Sequence, residues 1–209
     1  MRILIADDHA VVRHGLKQIL ADEFPMAVFG EAATAAEVLK QASNQKWDLV
    51  VLDISLPDKS GLDVLKELKQ AQPKLPTLVL SMHPEDQFAV RVLKAGAAGY
   101  LTKETAPEKL AEAARRALDG RTYVSSSLAE TLAHGVTGKH DGPPHEALSD
   151  REFEVARMLA SGKSVKEIAG TMSLSVKTIS TYRTRLLAKL RLKNNAELTR
   201  YALRHRLVD

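Results

Sequence analysis

Hydrophobic positions in the first 120 residues come in two alternating patterns. Short runs rich in β-branched and aliphatic residues occur at Arg2–Ala6, Ala27–Gly30, Leu49–Leu52, Thr77–Leu80 and Ala98–Leu101. Between them lie amphipathic stretches of helical length at Ala10–Leu20, Ala35–Ala42, Leu62–Gln70, Asp86–Lys94 and Pro107–Leu118. Runs that are apolar without strict alternation fit strands covered on both faces, as in a parallel sheet wrapped by helices. Five such β-then-α units predict an open α/β sandwich. Local punctuation agrees: Pro57 and Gly61 interrupt the third loop, Pro73 and Pro76 precede the fourth strand, and Gly96 and Gly99 mark the fifth.

The pattern changes after residue 120. Residues 134–147 are rich in Gly and Pro and have no periodicity, which predicts a linker. Its histidines, His134, His140 and His145, match no usual metal-ligand spacing and read as solvated linker residues. A short helix is expected just upstream, over Ser125–His134. The last 62 residues read as helical throughout. Ser149-Asp-Arg-Glu152 and Ser164-Val-Lys-Glu167 each set a serine three residues ahead of a glutamate, the capping-box signature. Gly162 stands where a left-handed helix end is expected. Ser175 caps a third helix reaching about Arg191, and Asn194 or Asn195 begins a fourth. The organisation predicted is residues 1–120, a linker at 121–147, and an all-α domain at 148–209.

Charge divides the chain at the same places. Residues 1–120 carry 15 Lys/Arg against 17 Asp/Glu, whereas residues 148–209 carry 13 against 6. A small domain this basic, tied to a slightly acidic one, points to a polyanionic partner for the C-terminal part, with a merely soluble basic surface as the bland alternative. The chain has no cysteine, so disulfides and thiolate metal sites are excluded. Apolar residues at 44% and charged residues at 27% are an ordinary globular balance. No run approaches the roughly 18 apolar residues of a membrane span, and Met-Arg-Ile-Leu-Ile-Ala-Asp-Asp turns acidic too early for a signal peptide. A soluble cytoplasmic protein is expected.

Ligands of a parallel α/β sheet bind beyond the carboxyl ends of its strands. Asp7 and Asp8 close the first strand here, Asp53 the third, Ser81 the fourth and Lys103 the fifth. Three carboxylates in one crevice repel unless a cation sits among them. Mg²⁺ fits, because it commonly takes a few carboxylates plus phosphate and water. Lys103 adds a point charge suited to a phosphoryl oxygen, and Ser81 a hydroxyl that can donate to one. This is equipment for phosphoryl transfer onto a carboxylate, with Asp53 at the central strand's tip as nucleophile. Each residue alone could be a loop cap or a turn residue. All five at successive strand ends make that reading a poor one.

These residues resemble a response-regulator receiver domain. Asp7-Asp8-His9 is similar to that family's metal-holding acidic pair. Val-Leu-Asp53-Ile-Ser-Leu-Pro57-Asp-Lys-Ser-Gly61 is similar to its phosphoacceptor segment. Leu80-Ser81 matches the switch hydroxyl, and Lys94-Ala-Gly96-Ala-Ala-Gly-Tyr100-Leu-Thr-Lys103 the segment with the switch aromatic and the lysine. The resemblance implies a five-stranded parallel flavodoxin-like (CheY-like) fold in which Ser81 and Tyr100 rearrange together when Asp53 is phosphorylated. It implies Mg²⁺ on Asp7, Asp8 and Asp53. Glu104 departs from the pattern, since many receivers carry proline after the lysine. A flavodoxin-type cofactor site would want a hydroxyl- and Gly-rich first loop, which Asp-Asp-His is not. A haloacid-dehalogenase-type phosphatase would want a carboxylate where Ser55 stands.

The third C-terminal helix carries five basic residues (Lys177, Arg183, Arg185, Lys189 and Arg191) and no acid. Val176, Ile179, Leu186, Leu187 and Leu190 form its apolar stripe. Lys177, Ser180, Thr181, Thr184 and Ala188 share the opposite face, which is small enough to enter a DNA major groove. A helix at about Val165–Met172, a tight connection near Ser173 and then this helix are in helix-turn-helix order. A solvated basic surface helix is the alternative.

Leu148-Ser-Asp-Arg-Glu152, Gly162-Lys-Ser-Val-Lys-Glu167-Ile-Ala, Leu174-Ser-Val-Lys-Thr178-Ile-Ser-Thr-Tyr182 and Lys189-Leu-Arg-Leu resemble the LuxR-type (GerE-type) four-helix module. Together the two resemblances identify the chain as a NarL/FixJ-class response regulator. They imply base contacts from Ser180, Thr181 and Thr184, and phosphate contacts from Lys177, Thr178, Arg183 and Arg185. Many relatives have Lys at position 180. Arg183 lies angularly within the apolar stripe and must snorkel. The implied partners are double-stranded promoter or operator DNA, a sensor histidine kinase and a second copy of the chain when phosphorylated. No turnover enzyme and no membrane partner are expected. The alternative is a binding protein with a silent receiver and phosphorylation-independent DNA binding.

Overall fold

The computed structural model describes residues 1–82, 85–130, 144–172, 174–205 and 207–208. It divides into two compact units, Met1–Thr137 and Gly138–Asp209.

The first unit alternates strand and helix throughout. Its elements are β1 (Arg2–Ala6), α1 (Ala10–Glu23), β2 (Val28–Ala32), α2 (Ala35–Asn44) and β3 (Leu49–Asp53), then α3 (Gly61–Ala71), β4 (Thr77–Ser81), α4 (Glu85–Lys94), β5 (Gly99–Thr102) and α5 (Ala106–Leu118). The strands form one sheet in the order β2-β1-β3-β4-β5, every pair parallel. β3 and β4 are buried along their whole length, which is why their sequences show no alternation. Ile3, Ile5, Leu49, Val51, Leu78, Leu80 and Leu101 point to one face, under Leu16 and Leu20 of α1 and Leu110, Ala113, Ala114 and Ala117 of α5. The intervening residues, among them Leu4, Val50, Leu52, Val79 and Tyr100, are equally buried on the other face, where α2, α3 and α4 pack. The chain order reverses between β1 and β3, which opens a crevice at their carboxyl ends.

Beyond α5 the chain stays with this unit. Tyr123 pairs with Gly99 as a single parallel bridge at the edge of the sheet, and residues 126–130 are helical (α6). Ser125 caps this helix by accepting from the backbone N–H of Leu128, and Ser125 and Ser127 both donate to Glu85 at the start of α4. The short helix expected over Ser125–His134 thus forms over the described part, while residues 131–134 lie outside it.

The second unit is all helical. A 3₁₀ turn at Pro144–Ala147 leads to α7 (Asp150–Ala160), α8 (Val165–Thr171), α9 (Val176–Leu190) and α10 (Asn195–Arg204). Both expected capping boxes are present: Ser149 with Glu152, and Ser164 with Glu167. Gly162 has φ 86° and Arg191 φ 57°, each just past a helix end, where a left-handed residue closes the last turn. Phe153, Ala156, Leu159, Ile168, Ile179, Leu186, Leu187, Leu190, Leu198 and Ala202 are buried.

The unit begins ahead of Leu148, and this differs from the expected linker. His145 is buried, its backbone N–H and Nδ1 lying 3.3 and 3.0 Å from the Tyr201 hydroxyl, with its ring against Phe153 and His205. It is therefore a packed residue rather than a solvated one. Nothing in the local Gly/Pro-rich composition signals a partner 56 residues away. His134 and His140 lie outside the described residues.

Candidate acidic site and nucleic-acid interface

The carboxyl ends of β1, β3 and β5 bring three of the expected residues together. Asp7 and Asp53 are buried, and Lys103 reaches between them, its Nζ 2.6 Å from Asp7 Oδ2 and 2.9 Å from Asp53 Oδ2. Only the contact to Asp53 has hydrogen-bond alignment. Asp7 Oδ2 is ion-paired with Lys103 at 2.6 Å. Asp7 Oδ1 accepts the backbone N–H of His9, and Asp53 Oδ1 that of Ser55.

Burial raises the Asp53 carboxyl above the ordinary aspartate value. Lys103 opposes this and the Asp7 charge adds to it. Burial alone would lower the Lys103 ammonium, but the two carboxylates outweigh it and hold it above its ordinary value. The crevice is therefore a coupled pair of acids around one fixed cation.

Asp8 and His9 are exposed beside Asp7, with His9 Nδ1 2.6 Å from Asp8 Oδ1. Ligand atoms of Asp7, Asp8 and His9 lie within 4.8 Å of one another, a cluster that fits a divalent metal ion. The hard oxygen donors of Asp7 and Asp8 support the same conclusion. His9 was quoted in the motif but not expected among the ligands; its adjacency to the acidic pair was the available signal.

Ser81, at the end of β4, and Tyr100, the second residue of β5, are both fully buried. Their strands pair Val79 with Tyr100 and Ser81 with Thr102, and the Lys103 backbone N–H donates to the Ser81 carbonyl at 2.7 Å. Hydroxyl, aromatic and lysine thus sit on two hydrogen-bonded neighbours. No cis peptide occurs among the described residues, so the Lys103–Glu104 bond is trans.

Two further contacts support the site, and only that of Asp58 with α2 had no sequence signal. Asp58, five residues after Asp53, accepts the backbone N–H groups of Ala35 and Ala36 at 2.7 and 3.0 Å, fastening the β3–α3 loop to the start of α2. Burial alone would raise its carboxyl, but the converging N–H groups hold it below the ordinary value. Gly61 lies against the backbone of Asp53 and Ile54, where a β-carbon would come closer than 3.0 Å to the Asp53 carbonyl.

In the second unit α9 carries the expected face. Lys177, Ser180, Thr181, Thr184, Arg185 and Ala188 are all exposed, and Ile179, Leu186, Leu187 and Leu190 are buried against the other helices. Ser175 caps the helix by accepting from Thr178 N–H at 3.0 Å, and its hydroxyl lies 2.8 Å from that of Thr178. Thr178 is accordingly half-buried at the first turn. Arg183 is half-buried too, donating from Nε to Asn195 Oδ1 at 2.7 Å and tying α9 to the first residue of α10. At the far end Lys189 Nζ is 2.6 Å from Glu152 Oε2. Four of the five expected stripe residues thus pack, while Val176, in the first turn, is exposed, and two of the five cations serve the bundle itself.

Comparison with known proteins bears on both units. The family model described as response regulator receiver domain matches residues 3–115. The model described as bacterial regulatory proteins, luxR family, matches residues 146–202. The chain is 36% identical to response regulator GacA of Pseudomonas aeruginosa, over 100% of this chain and 98% of that protein. A structure of RcsB from Salmonella enterica serovar Typhimurium, bound to promoter rprA in the presence of the phosphomimetic BeF3⁻, is similar with TM-score 0.70 and 27% identity. The likeness covers 96% of this chain and 98% of that one. A structure of two RcsB dimers bound to two parallel DNAs matches with TM-score 0.60 and 27% identity, over 96% and 97% of the two chains. Among the described residues no helix is long and apolar enough to cross a membrane. Strand order, acidic crevice and reader-type helix agree with both matches, and the chain belongs to the two-component response regulators, with a receiver domain followed by a LuxR-type helix-turn-helix DNA-binding domain.

Proposed function

We propose that Asp53 accepts the phosphoryl group and that its phosphorylation switches promoter binding by the C-terminal helices. The carrying observation is the shared lysine: Lys103 Nζ contacts the buried carboxylates of both Asp7 and Asp53. An Asp53 oxygen attacks phosphorus in line, a P–O bond forms, and the bond to the leaving group breaks with its electron pair. The donor is the phosphohistidine of a partner sensor kinase or a small acyl phosphate. Asp7, Asp8 and Asp53 would hold Mg²⁺, which when bound supplies charge neutralisation for the transferring group. Lys103 neutralises a further phosphoryl oxygen, and Asp58 and Gly61 keep the nucleophile's loop in place.

Ser81 and Tyr100 form the switch. They sit on adjacent strands beside Lys103, so a phosphoryl group recruiting the Ser81 hydroxyl would bias an existing equilibrium that Tyr100 reports outward. The regulator acts in the cytoplasm as a homodimer when phosphorylated, with residues 1–120 as receiver, 148–209 as DNA module and the linker within 121–147, whose ends pack on the unit each adjoins. Ser180, Thr181 and Thr184 face bases, while Lys177, Thr178, Arg183 and Arg185 lie along phosphates.

The test is labelling with acetyl phosphate and Mg²⁺, read by intact mass. The wild type gains one phosphoryl group and binds promoter DNA more tightly, whereas Asp53→Asn gains none. Equal labelling of Asp53→Asn refutes the assigned acceptor.

A further inference from the structure

The small hydroxyls of α9 do not point their protons outward. Ser180 Oγ donates to the Val176 carbonyl at 2.9 Å, Thr181 Oγ1 to the Lys177 carbonyl at 3.0 Å and Thr184 Oγ1 to the Ser180 carbonyl at 3.0 Å. A carbonyl oxygen can only accept, so in each pair the hydroxyl is the donor. A hydroxyl has one proton and two lone pairs. With the proton committed to the preceding turn, each exposed oxygen offers acceptor capacity alone.

Resting on the reading of α9 as the DNA reader, we propose that its central face is an acceptor surface that selects bases carrying an exocyclic amino group. In the major groove the base-edge donors are adenine N6–H₂ and cytosine N4–H₂, whereas guanine and thymine present acceptors. Every base pair carries one amino group there, so an acceptor hydroxyl reads which strand bears it. Ser180, Thr181 and Thr184 therefore separate adenine or cytosine from guanine or thymine on the contacted strand. They do not by themselves tell adenine from cytosine. Facing a keto base, a hydroxyl must break its bond to the helix to donate or leave two acceptors opposed. The threonine methyl groups add apolar contact suited to a thymine methyl on the same face.

The chemistry contrasts with a long cation at position 180, which would donate to guanine. Lys177 and Arg185 are long cations too, but they lie along phosphates rather than base edges, so the loss of a hydroxyl and the loss of a cation are separable by mutation.

The experiment uses the full-length protein, phosphorylated with acetyl phosphate, in selection from a randomised duplex library at fixed salt. Competition binding follows on the selected site, with single adenines replaced by purine, which lacks the amino group. The wild type is expected to lose about 2- to 10-fold in affinity at each hydroxyl-read position, the range of one net hydrogen bond. Thr181→Val or Thr184→Val, which keep the methyl groups, should bind the adenine and purine sites equally at the matching position. Thr181→Ser and Thr184→Ser should behave as wild type there. The inference is overturned if wild type and valine variants lose affinity equally on amino removal, or if the positions that lose preference in the valine variants are guanine or thymine. In either case α9 remains the reader. A protein that selects no sequence at all, or whose selectivity ignores all three truncations, overturns the reader assignment itself.

Discussion

Gly61 faces the backbone of Asp53 and Ile54 so closely that a β-carbon at position 61 would come closer than 3.0 Å to the Asp53 carbonyl oxygen. The Gly61 N–H in turn donates to the Ile54 carbonyl at 2.8 Å, closing the loop back on its own start. The spacing of eight residues between nucleophile and glycine is thus a packing requirement. The obstacle is backbone, which cannot swing aside as a flexible side chain can.

Gly61→Ala is expected to destabilise the first unit by about 1–3 kcal/mol, the usual cost of overpacking. The displaced loop carries Asp53, so labelling by acetyl phosphate should slow as well. Denaturant unfolding followed at Trp47 and a labelling time course measure the two effects. Wild-type stability and rate together in Gly61→Ala would show that the loop yields without cost.

The acidity of Asp53 sets a pH dependence. Burial, helped by the Asp7 charge, raises its carboxyl despite Lys103, and only the ionised form is a nucleophile. In the metal-free protein the Asp53 carboxyl should therefore ionise through a midpoint above the ordinary aspartate value, read from its ¹³C shift against pH, and added Mg²⁺ should lower that midpoint. The stability consequence has the opposite sense. A carboxyl whose folded value is raised binds its proton more tightly in the folded state, so stability falls as pH rises from the unfolded to the folded value. Asp53→Asn removes that penalty. It should unfold about 2–5 °C above wild type at neutral pH, with the difference vanishing below the ordinary aspartate range. A neutral-pH melting temperature below wild type would mean that the Lys103 pair outweighs burial.

Much of this was readable in the chain. Capping boxes at Ser149 and Ser164 are local chemistry, two side chains three residues apart, and both formed as expected. The buried strands are legible to within a residue of their ends, because β3 and β4 each carry an unbroken apolar run that stops at Asp53 and Ser81. β2 is shifted from Ala27–Gly30 to Val28–Ala32, since it is an edge strand, only its last residue is buried, and pairing with β1 sets its register. Contacts across long sequence separations left no local trace. Asp58 on α2, Glu85 on Ser125 and Ser127, and His145 on Tyr201 each join residues at least 22 apart, where neither period nor composition speaks.

Asp58 offers a clean test of one such contact. It accepts two of the N–H groups that the start of α2 leaves unpaired, much as a capping residue would. Asp58→Ala should cost about 0.5–2 kcal/mol, the range for losing a cap. The converging N–H groups hold its carboxyl low, so this stability is present above the ordinary aspartate value and is lost as pH falls through the folded value. Chemical unfolding of wild type and Asp58→Ala at neutral and acid pH should show a gap that closes on acidification. A gap independent of pH would place the effect elsewhere than in the carboxylate.

Two cations of α9 should separate in their consequences. Lys177 is exposed at the first turn, whereas Arg183 is half-buried with Nε bonded to Asn195 Oδ1. A phosphate contact contributes to every DNA sequence alike and releases counterions, so losing one flattens the salt dependence by about one unit of slope. Lys177→Ala should therefore weaken specific and non-specific binding by similar factors and leave the melting temperature unchanged. Arg183→Ala removes a bridge between α9 and α10, at a cost of about 1 kcal/mol in the stability of the second unit. It should also weaken DNA binding, since α9 loses the partner that holds it against α10. Arg183→Lys tests the bridge alone, because it keeps the charge but lacks the Nε that Asn195 receives. Stability should fall in Arg183→Lys while the salt slope stays near wild type. If instead stability is untouched in both Arg183 variants and the slope drops by one in Arg183→Ala, Arg183 is a phosphate contact and the Asn195 bond is incidental.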